Sequence, residues 1–392
     1  MLNKMTKNDS LTLLGLNSGT SVDAVDMAVI EIKRKNKMYT AEFLAGKEKK
    51  IPATLKQMIL SAADSKQPDF EAILHLNNAF GLFLGNSAKN FISSLSKNKI
   101  HIDAVASHGQ TIRHLPDKKN SMTRLAATFQ IGSPESIAYI ACKPVIADFR
   151  QADIAAGNEG APITAGAVQK LFYTKNESRL IINIGGMSNY FFLSAQPDII
   201  FAKDCGPGNV LSDLLCRRLF DLPYDKQGKI AQSGSISKRL LTLLLGHPFY
   251  SSNLKSTGRE SFGEHTVDEM TAFAAEFNLC NEDLIATAVE LTALSIVQSV
   301  TPLLRKEKNI KKLYLTGGGR KNIFLMKRLQ QFLPDLPVTK IDELGISGDF
   351  VEAASYAVLG EAFLREEAVA PVSSINKPAP ILGRLVLPPK NR

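Results

Sequence analysis

The sequence predicts an α/β protein built from two related domains, and three observations carry that reading. Strand-like apolar runs alternate with helix-like ones along the 392 residues, the grammar of sheets covered by helices. A chain of that length is long for a single hydrophobic core. A glycine-rich strand-turn-strand unit also occurs twice, about 165 residues apart, at Leu11 to Ile32 and at Leu180 to Leu193. Two such hairpins at the same relative place predict a duplicated domain that clamps one nucleotide in a cleft.

The elements follow in order. Leu11–Leu14, Ala24–Lys33 and Tyr39–Lys47 read as strands joined by short turns, so parallel and antiparallel pairing are mixed. Helices are predicted near Ala53–Ala63 and Phe70–Leu95, the second from the spacing of Ile73, Leu76, Phe80, Leu82 and Phe83. A strand at Ile102–Ala106 runs into Ser107-His-Gly-Gln-Thr111, and Pro134 fits the first turn of a helix reaching Cys142. A short strand, Pro144–Ala147, enters Asp148-Phe-Arg-Gln-Ala-Asp153. The second half repeats this pattern. The Leu180 hairpin is followed by a strand at Ile199–Ala202, a loop Lys203–Asn209, and a helix Val210–Phe220. Later helices cover Ile236–Leu245, Thr266–Phe277 and Asn281–Arg305. The strand Lys312–Leu315 opens into Thr316-Gly-Gly-Gly319, and a last helix runs from Gly348-Asp349 to Arg365. The tail's apolar run, Ile381–Leu387, is expected to pack back on the first domain.

Composition narrows the function classes. The formal charge is +9, but the basic residues are scattered and mixed with acids, and there is no Trp. No aromatic residues interleave with basic clusters as on a base-stacking surface, which argues against a nucleic-acid partner. Cys142, Cys205, Cys216 and Cys280 show no CxxC spacing and read as small hydrophobes in a reducing compartment. The polar Met1–Ser10 lacks the apolar core of a signal peptide. The stretch Leu284–Leu304 is broken by Thr287, Glu290, Thr292, Ser295, Gln298 and Ser299, so it reads as a buried helix rather than a membrane span. A cytoplasmic location with no membrane partner is expected.

Five loops carry candidate chemistry. In the first hairpin, Gly19-Thr20-Ser21-Val22-Asp23-Ala24-Val25-Asp26 offers backbone N–H groups, hydroxyls and carboxylates to a phosphate, and Asp23 could hold a water on Mg²⁺. The GxxxxGK[ST] order of a P-loop is missing. In Ser107–Thr111, Gln110 and Thr111 suit sugar hydroxyls, while His108 is either a ligand or a satisfied structural histidine. Arg150 is either a bidentate clamp on an anionic group or half of a structural Asp–Arg pair. Asp204-Cys-Gly206-Pro-Gly208-Asn209 precedes a helix whose N-terminus could attract anions, and an Asp held there can act as a general base. Gly317-Gly318-Gly319 lets a flat base or ribose lie on the backbone.

Taken in order, these loops resemble the anhydro-N-acetylmuramic acid kinase family of the sugar kinase/Hsp70/actin superfamily. The resemblance rests on Gly15–Asp23, Ser107-His-Gly-Gln-Thr-Ile-Arg-His114, Ala147-Asp-Phe-Arg150 with Asp153–Gly157, Gly160-Ala-Pro162, and Asn183-Ile-Gly-Gly186 with Asn189. It continues through Asp204–Asn209, Ser256-Thr-Gly-Arg-Glu260, Glu290-Leu-Thr-Ala293, Gly317–Gly319, and Gly348-Asp349 with Glu352-Ala353.

The resemblance implies duplicated actin-like ATPase (ribonuclease H-like) domains, residues 1–149 with 366–392 and residues 150–365. It implies an enzyme that uses ATP and Mg²⁺ on a 1,6-anhydro sugar in cell-wall recycling, and it is compatible with a homodimer. Carried over by position, Gly19 to Asp26 bind ATP phosphates, together with Gly185, Gly186, Asn189, Gly206, Gly208, Asn209 and Gly317–Gly319. Asp204 is the catalytic base, and Gln110, Arg150 and Glu352 face the sugar or its attacking water. The chain departs from the family pattern at Asn17 (usually Met), Ala24 (usually Gly) and Cys205 (usually Thr). A Cβ at Ala24 disfavours positive φ in a phosphate loop. Two other readings stand beside this one: a kinase for another anhydro sugar such as levoglucosan, and a non-catalytic sugar-nucleotide sensor on the same scaffold.

Overall fold

The computed structural model describes residues 8–35, 38–65, 67–116, 124–196, 200–251, 261–369 and 379–390. It divides into a first unit, Met1–Leu171 with Phe350–Arg392, and a second unit, Phe172–Asp349. The Ser256–Glu260 motif lies outside the described residues.

In chain order, the first unit opens with β1 (Ser10–Ser18), β2 (Ala24–Lys35), β3 (Met38–Lys50), α1 (Ala53–Asp64), α2 (Phe70–Leu95) and β4 (Ala104–Ser107). It continues with β5 (Gln110–Leu115), β6 (Ala127–Ile131), α3 (Pro134–Ala141), β7 (Val145–Ala147), α4 (Phe149–Ala155) and α5 (Ala165–Phe172). The second unit holds β8 (Ser178–Ile184), β9 (Met187–Leu193), β10 (Ile200–Pro207), α6 (Val210–Phe220) and several helices before α7 (Asn281–Lys306). It ends with β11 (Ile310–Thr316), α8 (Ile323–Phe332) and β12 (Val338–Lys340). The chain then re-enters the first unit with α9 (Val351–Leu364) and β13 (Arg384–Val386).

The strand order shows the duplication. The first unit's sheet runs β13-β7-β4-β1-β2-β3 and the second's β10-β9-β8-β11-β12. In each, three antiparallel strands form a meander, and two more strands join parallel on the far side of the first. That is the ribonuclease H-like arrangement of actin-like domains, built twice. The tail adds β13 antiparallel to β7, with Leu385 opposite Ile146, so it packs on the first unit as its apolar run predicts.

Helices cover both faces of the first sheet because strand residues alternate sides. Leu14, Leu16, Val25 and Met27 join the core under α2. Asp69 caps α2 by accepting from the Glu71 and Ala72 N–H groups. Gly81 lets α3 approach closely, since a Cβ there would meet the Ser133 nitrogen at 2.8 Å. On the other face lies α9, which is buried almost all round. A Cβ on Gly15 would fall 1.8 Å from the Ala353 carbonyl oxygen. Gly15 is thus a packing glycine within β1, not part of a phosphate turn.

This close packing places α9 in the first unit, whereas the sequence reading drew it with the second domain. The other boundary also differs, since α4 and most of α5 precede it and remain with the first unit. Two further readings change. Gln110 and Thr111 belong to a strand, β5, paired with β6. Asp204 lies within β10, not in a loop beyond it, and the ladder shifts register between Asp204 and Gly206. The helix α7 is long and apolar enough to cross a membrane, but 72% of its most apolar window is buried inside the protein. Its Glu290 is held by two bonds from Arg328, at 2.5 and 2.6 Å.

Candidate active site

In the first unit, β1 and β2 are joined by the turn Gly19–Asp23. The Val22 N–H donates to the Gly19 carbonyl at 3.1 Å. The positive φ of this turn falls on Val22 (+54°) and not on Ala24, which already pairs with Lys50 as the first residue of β2. Ala24 therefore carries no backbone strain. Val22 and Val25 turn their side chains into the core. Gly19, Thr20, Ser21 and Asp23 are exposed, and a Cβ on Gly19 would meet nothing within 4 Å among the described residues. The Asp23 carboxylate pairs with Lys56, and Asp26 is half-buried in β2.

Beside this turn, the ends of β1, β4 and β7 and the start of α9 bring polar groups together. The Ser18 hydroxyl donates to Gln110 Oε1 at 2.6 Å, and the Asn17 amide donates to Glu352 Oε2 at 2.7 Å. Glu352 sits in the first turn of α9 and is exposed. Arg150 donates from Nε to His108 Nε2 at 3.1 Å and from Nη1 to the Gly160 carbonyl at 2.7 Å. The Asp–Arg pair left open by the sequence is not formed within that motif. Asp153 is fully buried and accepts from Asn158 and the Gly160 N–H, while Asp148 pairs with Arg384.

His108 is buried and stacks on Tyr356 with centroids 4.7 Å apart. Burial, then the Arg150 charge, hold His108 well below the usual histidine range, and the same two causes lower His114 to about 4. Both rings are neutral at physiological pH. Because His108 Nε2 accepts from Arg150, its proton is on Nδ1. A cavity of about 170 Å³ lies here, lined by Ser107, His108, Gly109, Gln130, Asp148 and Arg384 among others.

In the second unit, three glycine segments converge. The Gly208 N–H donates to Gly186 O and the Asn209 N–H to Gly185 O, each at 2.8 Å. The Asn209 amide reaches Ile184 O at 3.3 Å and lies 3.8 Å from a Cβ position on Gly318. Gly317 has φ +76°, and a Cβ on Gly319 would strike Ile184 at 2.3 Å. Gly206, at φ +118°, turns the chain toward α6. Asp204 is half-buried, two residues before that turn and directly opposite Asn189. Cys205 is buried, and burial pushes its thiol up to about 12, so it is an inert filler.

Sequence reasoning missed Arg320. It is 3% exposed and donates to Gly317 O at 3.0 Å, Asp349 at 2.9 Å and Asp342 at 3.2 Å. Gly348 is glycine because a Cβ there would meet Arg320 Nε at 2.4 Å. Arg320 thus fixes the third glycine segment from beneath. Its position directly after the glycine run was its only signal.

The family model described as anhydro-N-acetylmuramic acid kinase matches residues 11–383. The chain is similar to proteins of that name from several bacteria. One from Bacillus cereus is 33% identical over 383 residues, covering 96% of this chain and 99% of that one. The Clostridioides difficile protein is 34% identical over 383 residues, covering 96% and 98%. The Trichormus variabilis protein is 36% identical over 356 residues, covering 88% and 89%. The chain therefore belongs to the anhydro-N-acetylmuramic acid kinase family and is a phosphotransferase.

Proposed function

We propose that the chain uses ATP to open 1,6-anhydro-N-acetylmuramic acid hydrolytically and phosphorylate its O6, giving N-acetylmuramic acid 6-phosphate, with Asp204 as the general base. The observation that carries this reading is the position of Asp204. It is a carboxylate at the bulged end of β10, beside the convergence of Gly185–Gly186, Gly206–Asn209 and Gly317–Gly319.

The chemistry needs such a base. A 1,6-anhydro sugar has no free O6 to phosphorylate. Asp204 takes a proton from water as the water oxygen bonds to C1. The C1–O6 bond breaks, and O6 leaves with its electron pair and attacks the γ-phosphorus in line, releasing ADP. Water attacking opposite O6 inverts the anomeric centre. The protein's task is positioning and neutralising phosphate charge. In the first unit the backbone N–H groups of Gly19–Ser21 suit a phosphate; in the second unit those of the glycine segments do so as well, and the start of α6 adds its favourable dipole. A magnesium ion arriving with ATP would neutralise phosphate charge, and the exposed Asp23 carboxylate, which pairs with Lys56, could hold one of the waters on that ion. Gln110, Arg150 and Glu352 serve the sugar, Arg150 as the cation for an acidic lactyl group.

The test is ATP consumption with anhydro-N-acetylmuramic acid and levoglucosan side by side, in ¹⁸O-enriched water. The expected product is a 6-phosphate from the muramic substrate with the label at C1. A product without label, or a preference for levoglucosan, would overturn the reading.

A further inference from the structure

Four polar residues stand in one row across the second unit's sheet. Thr316 on β11 is opposite Asn183 on β8, Asn183 is opposite Asn189 on β9, and Asn189 is opposite Asp204 on β10. Register partners face the same side of a sheet. The residues beside them in sequence, Ile182, Ile184 and Leu315, are fully buried hydrophobics of the other face. The row lies where the strands enter the glycine segments. Its outer end is settled by packing. The Thr316 hydroxyl donates to Gly348 O at 3.0 Å, and Asn183 Oδ1 stands 2.6 Å from where a Cβ on Gly317 would be.

Asn189 is different. Its Oδ1 is buried and has no hydrogen-bond partner among the described residues. A buried acceptor without a donor weakens the fold, and an apolar residue would fill the place at less cost. An amide kept there calls for a ligand that donates. The neighbour on its side of the row is the Asp204 carboxylate, itself an acceptor. Directly opposed residues on adjacent strands hold their Cβ atoms about 4.5–5.5 Å apart. One molecule with two O–H groups can bridge two acceptors at that spacing.

We infer that Asn189 Oδ1 is the second acceptor for the water that Asp204 activates, rather than the nucleotide contact its place in the hairpin suggests. The inference rests on the reading of Asp204 as general base. In the step, one water proton passes to Asp204 while the other O–H stays bonded to Asn189. The remaining lone pair is thereby aimed at C1, the O–C1 bond forms, and the C1–O6 pair departs with O6. An amide suits this task because it cannot compete for the proton.

The experiment compares Asn189→Leu, which keeps the size and removes the acceptor, with Asn189→Asp, which keeps an acceptor and adds a charge. Asn189→Leu should lose about 10²-fold in kcat, the scale of a positioned transition-state contact, with KM for ATP within twofold. Asn189→Asp should recover activity as pH rises. Its second carboxylate raises the Asp204 pKa and moves the acid limb of kcat/KM upward. The displaced limb tests only that the two side chains are neighbours; the kcat loss in Asn189→Leu with KM for ATP held is what a nucleotide contact would not give. A kcat loss under tenfold in Asn189→Leu, or a KM for ATP that rises more than kcat falls, overturns the inference. If Asn189→Leu does not fold, Asn189→Ala is read by the same kcat and KM criteria, and an unmoved acid limb in Asn189→Asp also overturns the inference. Failure of the underlying reading shows separately, as turnover retained in Asp204→Asn.

Discussion

The Asn17 amide donates to Glu352 Oε2 at 2.7 Å, tying the end of β1 to the first turn of α9 across 335 positions of sequence. The bond fixes the orientation of an exposed carboxylate assigned here to the sugar. Asn17→Ala should lower kcat/KM for the sugar about tenfold, the scale of one hydrogen bond to a charged group, and leave KM for ATP within twofold. Steady-state kinetics with each substrate varied in turn would check this. Equal losses on both substrates would contradict the assignment.

Much of this arrangement was legible in the sequence, and the misses have physical causes. The repeated hairpins and the strand–helix alternation are local signals, so the duplication and most elements could be read. The helix α9 falls in the first unit through small residues meeting at long range, Gly15 against Ala353 and Gly360 against Ala106, contacts that no local pattern encodes. The Asn17–Glu352 bond and the Arg320 clamp likewise join residues whose pairing no local pattern encodes. Asp204 could be found from its motif, but its place inside a bulged strand depends on pairing with β9.

Asp204→Asn should abolish sugar phosphorylation and leave ATP binding within several-fold. Asn is nearly the same shape and cannot take a proton at neutral pH. Loss of a general base costs about 10²–10⁴ in rate. Turnover above a tenth of the wild-type value would sink the assignment.

Two glycines should respond in opposite ways. A Cβ on Gly19 meets nothing within 4 Å among the described residues, so Gly19→Val should melt near the wild-type temperature. Its KM for ATP should rise at least about tenfold, because the branched side chain blocks approach to the backbone. A Cβ on Gly208 would fall 2.4 Å from Gly185 O, so Gly208→Ala should cost about 1–3 kcal/mol of stability. Thermal unfolding together with KM measurement separates the two. An unchanged ATP affinity in Gly19→Val would remove the turn from the phosphate site.

Arg320→Met should destabilise the second unit by about 2–4 kcal/mol, discounted because Asp349 is partly exposed. Burial alone would raise the Asp349 carboxyl, but hydrogen bonds and charge from Arg320 and Lys321 bring it down to about 2. A depressed acid stabilises the fold fully above its ordinary value of 3.8, and that contribution is lost as pH falls toward 2. Urea unfolding between pH 5 and pH 2.5 should therefore show a shallower acid slope in Arg320→Met. An identical slope in both proteins would show that Arg320 does not hold the carboxylate.

The first unit should lose stability over a different interval, through its two neutral histidines. His114 is lowered from 6.5 to about 4 by burial and then by Arg150, and His108 shifts the same way. Between those values the unfolded chain binds a proton that the folded one refuses. Stability therefore rises with pH across the interval, is complete above 6.5, and falls away toward 4. His114→Gln should reduce the slope of stability against pH by about one proton, as read from urea midpoints between pH 4.5 and pH 7.5. Arg150→Met removes the second cause and leaves burial, so the His114 ring should titrate at a higher pH than in the wild type when followed by its imidazole resonances. A His114 that titrates near 6.5 in the wild type would refute the burial argument. A titration unmoved by Arg150→Met would refute the contribution of the guanidinium.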